Sequence, residues 1–364
     1  VFAVLSRERA EDPNLRRLPR KPIPCYRGAK PTDMRTGRLL QLFLIIAALA
    51  LAQSPVGAQQ AQKIPKIGFL GGANPRLAPI LQSFRQGLRE LGYVEGQNII
   101  IEPRRSMGNT SEFNNFAAEL VRLQVDVIVA QNINPTRSAM NATKTIPIVM
   151  TFPGDPVLLG FVASLERPGG NVTGVSGLTS ELGGKWLELV KETVPNARRV
   201  AVLWNQNAEY HFPTWKSVEI AARSLKVDVE WVQVRDARDI RRRFGPVISE
   251  KPDAFIVLPG FGGGERTLPE IAELGLKNRV PGMFWRTDLD LEQIGGLMAY
   301  GANRAEQSRR AAYFVDKILK GAKPSELPVE LPKSFELVIN LKVAREIGIT
   351  IAPGMLAWAD RVIK

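Results

Sequence analysis

The 364-residue sequence holds one cysteine and one histidine, and these two scarcities exclude most common chemistries. Without paired cysteines there is no disulfide framework, and without a His/Cys cluster there is no zinc site and no Cys–His nucleophile pair. A Ser-His-Asp mechanism would have to run through His211 alone. The 31 glycines and 26 prolines follow no G-X-Y period, which excludes a collagen-like chain. Concentrated positive charge is missing as well. The net +13 divides into +6 over residues 1–58 (10 basic, 4 acidic) and +7 over the remaining 306 (39 basic, 32 acidic), so no stretch forms the basic footprint of a polyanion binder. What is left is a globular chain of a length that suits two domains.

The N-terminal segment does not read as fold. Arg35 and Arg38 follow Met34, and Leu39–Ala52 is an apolar run of 14 residues broken only by Gln41. Ser54 and Pro55 end it, and Val56-Gly57-Ala58 offers a small-residue cleavage site before Gln59. This is the three-part layout of a secretory signal peptide over 34–58. The alternative is an N-terminal anchor, disfavoured because spanning needs about 20 apolar residues. Residues 1–33, rich in Arg and Pro, are expected to be a disordered over-extension of a protein whose translation starts at Met34. Cys25 lies in that piece, so the exported chain would have no cysteine and no lipid attachment point.

The remaining chain alternates short β-rich runs with amphipathic stretches, the pattern of α/β proteins with parallel sheets. Strands are expected at 66–70, 98–102, 125–130, 147–151 and 171–175, with helices at 77–91, 112–123 and 135–141 between them. A second series begins near Ser180, with strands at 199–204, 228–234, 254–258 and 280–285 and helices at 181–194, 214–225, 238–249 and 266–277. Segments 295–300, 305–319, 335–340 and 343–347 close the chain.

Ligands of such sheets sit at the carboxyl ends of the strands. Here those ends are rich in Gly, amides and a few acids, which suits reversible hydrogen bonding better than bond breaking. Gly68-x-x-Gly71-Gly72 does not match the spacing of a dinucleotide loop. Gly260-Phe-Gly-Gly-Gly-Glu265 lacks the Gly-Lys-Ser/Thr of a phosphate cradle, and Gly174-Val-Ser176-Gly177 is not a nucleophile elbow. His211, between Tyr210 and Phe212, reads first as a packing or rim residue and second as a ligand clamp. Arg241–Arg243 reads as a solvated helix face.

Five stretches carry a family resemblance: KIGFLGG at 66–72, FRQGLRELGYVEGQNIIIE at 84–102, GDPVLLGFVASLERPGGNVTGVSGL at 154–178, GGLMAYG at 295–301 and the ending through FELVINLK and GITI. On these the chain resembles the substrate-binding proteins of ABC transporters, in the family of type I periplasmic-binding-protein fold that includes tryptophan-binding members. The resemblance implies two Rossmann-like three-layer α/β/α lobes joined by a three-crossing hinge and closing on a ligand. It places lobe 1 at 64–176 plus 291–322 and lobe 2 at 177–290 plus 323–364, with crossings near Gly174–Leu178, Asp290–Gly295 and Gly321–Pro324. The ligand candidates it implies are Gly72, Ala73, Asn74, Asn132, Asn134 and Asp155 on lobe 1. On lobe 2 they are Asn205, Phe261 and Asp288, with Tyr300 near the second crossing. No catalytic residue, metal or cofactor is expected. Asn205-Gln-Asn-Ala-Glu and Arg286-Thr-Asp-Leu-Asp depart from the family pattern, so the pocket is individual on a shared scaffold.

The function expected is therefore a periplasmic, monomeric solute-binding component of an ABC importer, taking a small organic ligand such as an amino acid or aromatic acid and docking on a membrane permease. A ligand sensor feeding a membrane receptor is the alternative. An exported α/β enzyme ranks below both, and no nucleic-acid partner is expected.

Overall fold

The computed structural model describes residues 63–72, 78–106, 109–177, 181–205, 211–235, 237–261 and 267–364. The expected leader at 34–58, residues 1–33 and Cys25 lie outside them. Residues Lys63–Lys364 form one compact unit built around two sheets.

The first sheet holds β1 (Lys66–Gly72), β2 (Ile100–Ser106), β3 (Val127–Gln131), β4 (Ile148–Thr151) and β5 (Val172–Val175), all parallel, in the order β2-β1-β3-β4-β5. Strands β3 and β4 are buried at every position, because helices cover both faces of a parallel sheet. The expected strand at 98–102 instead runs to Ser106, through Pro103. Its place at the sheet edge explains this, since an edge strand can lack one N–H. Helices α1 (Ala78–Glu90), α2 (Thr110–Arg122) and α3 (Ile133–Ala142) connect these strands.

The second sheet holds β6 (Arg199–Asn205), β7 (Asp228–Val234), β8 (Ala254–Val257), β9 (Gly282–Phe284), β10 (Met298–Ala302), β11 (Phe335–Asn340) and β12 (Arg361–Ile363). Their order is β12-β11-β10-β9-β8-β6-β7, parallel except for the β10–β11 pair. Around it pack α4 (Leu182–Thr193), α5 (His211–Leu225), the helical stretch 237–249, α7 (Thr267–Asn278), the short α8 (Leu291–Ile294), α10 (Leu341–Ile347) and α11 (Pro353–Trp358); the stretch 237–249 counts as α6. Arg241–Arg243 lie in a π-helical turn of α6. They form the expected solvated face, with Arg241 and Arg242 exposed, and they also carry ion pairs: Asp239 sits 2.6 Å from Arg242, and Glu270 sits 2.6 Å from Arg241. Each sheet has apolar clusters on both faces, with Phe69, Phe84 and Phe314 in the first lobe and Trp186, Phe244 and Phe255 in the second fully or almost fully buried.

Two of the three expected crossings move. The strand Met298–Ala302 is hydrogen-bonded into the second sheet, so residues 291–302 belong to lobe 2 and not to lobe 1. The chain passes between lobes at Asn303, whose side chain caps α9 (Arg304–Leu319) by accepting from the Glu306 N–H. Helix α9 returns to the first lobe and packs on α1, with Ser308 Oγ donating to the Ile80 carbonyl at 2.8 Å. The chain then stays there: Val329 is in the first lobe's core, and Glu330 bridges Val175. The third crossing therefore falls at 331–334 rather than Gly321–Pro324, and 323–330 side with lobe 1. The glycines within those two expected positions have a different task. Gly295 and Gly321 end α8 and α9 with φ of 77° and 97°, the usual work of a left-handed residue past a helix terminus.

Gly174, just before the first crossing, has φ 131°, and a Cβ there would stand 2.2 Å from the Met150 carbonyl oxygen. Both the conformation and the contact demand glycine. Gly174→Ala is expected to cost about 2–4 kcal/mol, read as a lowered urea midpoint with an unchanged m-value.

Candidate functional site

The carboxyl ends of the two sheets meet around a cluster of three ionised side chains. Asp288 lies in the loop after β9 and accepts two hydrogen bonds from Arg286, from Nε at 3.0 Å and Nη2 at 2.7 Å. Its Oδ2 also lies 3.4 Å from Nε of Arg304. Arg304 opens α9, directly after the second crossing, and reaches into the first lobe. Its Nη2 donates to Oδ1 of Asn132 at 3.2 Å, and its guanidinium lies 4.0 Å from the centre of the Phe152 ring. One guanidinium thus touches the end of β3, the end of β4 and the second lobe's loop.

The backbone is bent to make this possible. Asn132 and Phe152 both have positive φ, 66° and 44°, a costly state for residues with a side chain. Asn132 occupies the cap position of α3, yet its side chain makes no cap bond and turns to Arg304 instead. The Asn132 N–H donates to the Thr151 carbonyl at 2.8 Å, which locks the two strand ends together. On the other side, Arg361 Nη2 donates to the Thr287 carbonyl at 2.7 Å and braces the loop that carries Asp288.

The electrostatics are dominated by burial. Burial works against the Asp288 charge, but the charges of Arg286 and Arg304 and the Arg286 hydrogen bonds hold its carboxyl well below the ordinary carboxylate range. Burial pushes Arg304 down to about 10, with Asp288 opposing that and Arg286 adding to it. Among the described residues, Nε of Arg304, Oγ1 of Thr151 and Oε1 of Gln307 are buried without a hydrogen-bond partner. They come from the segments that converge here, and such atoms are uncommon in folded proteins.

Of the expected ligand residues, the structure brings Asn132 and Asp288 together through Arg304. Asn134 is exposed in the first turn of α3. Asp155 caps a turn, its Oδ1 accepting from the Val157 and Leu158 N–H groups at 3.0 Å each. The Gly72 carbonyl accepts from Arg105 Nε at 3.0 Å, while Ala73 and Asn74 lie outside the described residues. Asn205 donates to the Gly260 carbonyl at 2.9 Å and Phe261 is buried in the second lobe's core. Tyr300 stacks on Phe335 with ring centres 5.9 Å apart, and its raised hydroxyl pKa follows from burial and then the Asp360 charge. These contacts belong to the second lobe's framework. Helix α5 already begins at His211, three residues ahead of the expected Thr214, and the His211 side chain is not among those described. Among the described residues no group of three or more His, Cys, Asp or Glu is placed to hold a metal ion.

The sequence placed Arg286 and Phe152 in strand-end loops without making them ligand candidates, and it did not single out Arg304. One signal for Arg304 was present: a cation in the first turn of a helix opposes the helix dipole, so a partner elsewhere must hold it.

A carboxyl held below its unfolded pKa of about 3.9 contributes stability that is fully present above that pH and is lost as pH falls toward the folded value. The acid limb of the stability curve below about pH 4 is therefore expected to be shallower in Asp288→Asn than in the wild type. At neutral pH Asp288→Ala, which strands two buried cations, is expected to cost about 3–5 kcal/mol by urea denaturation.

Residues 73–363 match the family model described as ABC transporter substrate binding protein. A tyrosine-binding protein of Clostridioides difficile is 27% identical over 267 residues, 73% of this chain and 76% of that one. A solved domain from Streptococcus pneumoniae in complex with L-Trp is 28% identical, with a TM-score of 0.74 over 82% of this chain and 99% of that one. A conserved domain protein from Vibrio cholerae is 27% identical, with a TM-score of 0.75 over 82% of this chain and all of that one. The two-lobed type I layout and the family match agree: the chain belongs to the ABC transporter substrate binding protein family.

Proposed function

We propose that this protein is the exported solute-binding component of an ABC importer. It captures a small organic molecule, an amino acid or aromatic acid, between its lobes and presents it to a membrane permease without transforming it. The observation that carries this reading is the Arg286–Asp288–Arg304 cluster, where buried charge from both lobes meets at the carboxyl ends of parallel strands of the two sheets. That is the place where α/β sheets bind ligands. No His, Cys or Lys stands among the described residues at those strand ends, so the groups there suit hydrogen bonding and ion pairing more than proton transfer. The tyrosine-binding relative and the L-Trp complex support a cargo of amino-acid size.

Export rests on the 34–58 pattern, with the mature chain starting at Gln59. Among the described residues no helix is long and apolar enough to cross a membrane, in keeping with a mature protein that reaches its permease from outside the bilayer. The protein acts as a monomer, since docking on a permease needs a free face on each lobe.

Two measurements test this. Expression of the full chain in a Gram-negative host is expected to yield a periplasmic protein whose N-terminal sequence begins at Gln59; a product retaining Met34–Ala58 in the membrane overturns the export assignment. In a thermal-shift panel of amino acids and aromatic acids on that product, a cognate ligand at 100 times its Kd adds about 2.7 kcal/mol. The expected result is a saturable rise in Tm of several degrees for one chemical class. A flat response across the panel overturns the cargo class.

A further inference from the structure

The ionised groups at the meeting of the lobes do not balance. Arg286 and Asp288 form a two-bonded pair that is neutral by itself, and Arg304 remains as one positive charge in excess. Arg304 is 7% exposed, yet its one hydrogen bond among the described residues goes to the neutral Asn132, and its Nε has none. A buried cation is stabilised by an anion with good hydrogen-bond geometry, and Asp288, already engaged by Arg286, gives Arg304 only a 3.4 Å approach.

A second donor set stands beside it. With the Asn132 side chain turned to Arg304, helix α3 begins without a side-chain cap. Pro135 has no N–H, so the Ile133 and Asn134 amides are the free donors of that first turn, and such amides favour an anion. Among the described residues, the acids close behind the strand ends are already engaged: Asp288 is committed to Arg286, Asp155 is turned into the loop it caps, and Asp290 caps α8 by accepting from the Gln293 N–H.

We infer that the cleft selects a ligand bearing a carboxylate and no ammonium, with the carboxylate docking on Arg304 beside the first-turn amides of α3. The inference rests on the solute-binding reading and narrows it. An organic acid supplies the missing negative charge and hydrogen-bond acceptors at once. A zwitterion supplies the same carboxylate, but brings an ammonium toward a cluster with an uncompensated positive charge.

The test uses probe pairs that differ only in the α-ammonium: methylpentanoate against leucine, phenylpropanoate against phenylalanine, and indolepropanoate against tryptophan. Each is titrated calorimetrically into the protein purified from the periplasm of a host expressing the full chain. The expected result is that the acid of a pair binds at least about ten-fold tighter than its amino acid. In Arg304→Gln the two members are expected to come within about two-fold of each other, while Arg304→Lys keeps part of the preference. An amino acid that binds as tightly as its acid, or tighter, overturns this inference and leaves the solute-binding reading intact. Absence of saturable binding, in these pairs and in the thermal-shift panel alike, overturns the cargo class on which the inference rests. The wild-type comparison stands even if a variant fails to fold.

Discussion

The arrangement of this protein depends on one guanidinium. Arg304 is the first residue after the chain crosses into lobe 1, and it contacts Asn132, Phe152 and Asp288, residues that come from three separate segments. Buried ion pairs often contribute little net stability, because removing charge from water costs about as much as the pairing returns. Their better-attested value is registry. Here the registry is between two lobes whose sheets are otherwise independent, each with its own cores on both faces.

Neighbouring contacts reinforce the same junction. Gln307 Nε2, one turn beyond Arg304, donates to the Ser176 carbonyl at the first crossing at 3.1 Å. Asn303 at the second crossing bonds Glu336, and Ser334 at the third bonds Glu306. All three crossings are thereby tied to the first turns of α9. The positive φ of Asn132 and Phe152 is sustained by this surrounding network, in keeping with strained residues persisting only where neighbours over-determine them.

How much of this could be read from the sequence follows the range of each interaction. Strands β3 and β4 were legible because unbroken apolar runs of four or five residues suit a sheet covered on both faces. The helices were legible from their 3.6-residue stripes. The crossings implied by the family resemblance fell at Asp290–Gly295 and Gly321–Pro324, where the glycines mark helix ends, and only strand pairing shows that β10 belongs to the second sheet. Asn132 and Asp288, which both contact Arg304, could be named from the sequence because they follow strand ends. Tyr300, chosen for its nearness to a crossing, shares a face of β10 with Met298, two residues earlier, and period-two alternation turns that face toward α4. Arg304 stayed hidden because its role needs residues separated by up to 172 positions.

The position of the charged cluster also bears on how a two-lobed receptor divides its work. When two lobes rotate about short crossings, points near the axis move least and points at the rims move most. Arg304 adjoins the crossing at Asn303, so its contacts with both lobes can persist through such a motion. A ligand shifts the equilibrium between open and closed forms only through contacts that differ between them. A group that is in place in both forms raises affinity for both and drives closure in neither. In the proposed receptor the cluster near the crossings therefore fixes which charge the ligand carries. The energy for closure must come from groups farther out, which meet the ligand only when the lobes come together. Charge selection and signalling of the bound state then rest on different residues, and a change to the distal contacts can alter closure while leaving the charge preference at Arg304 in place.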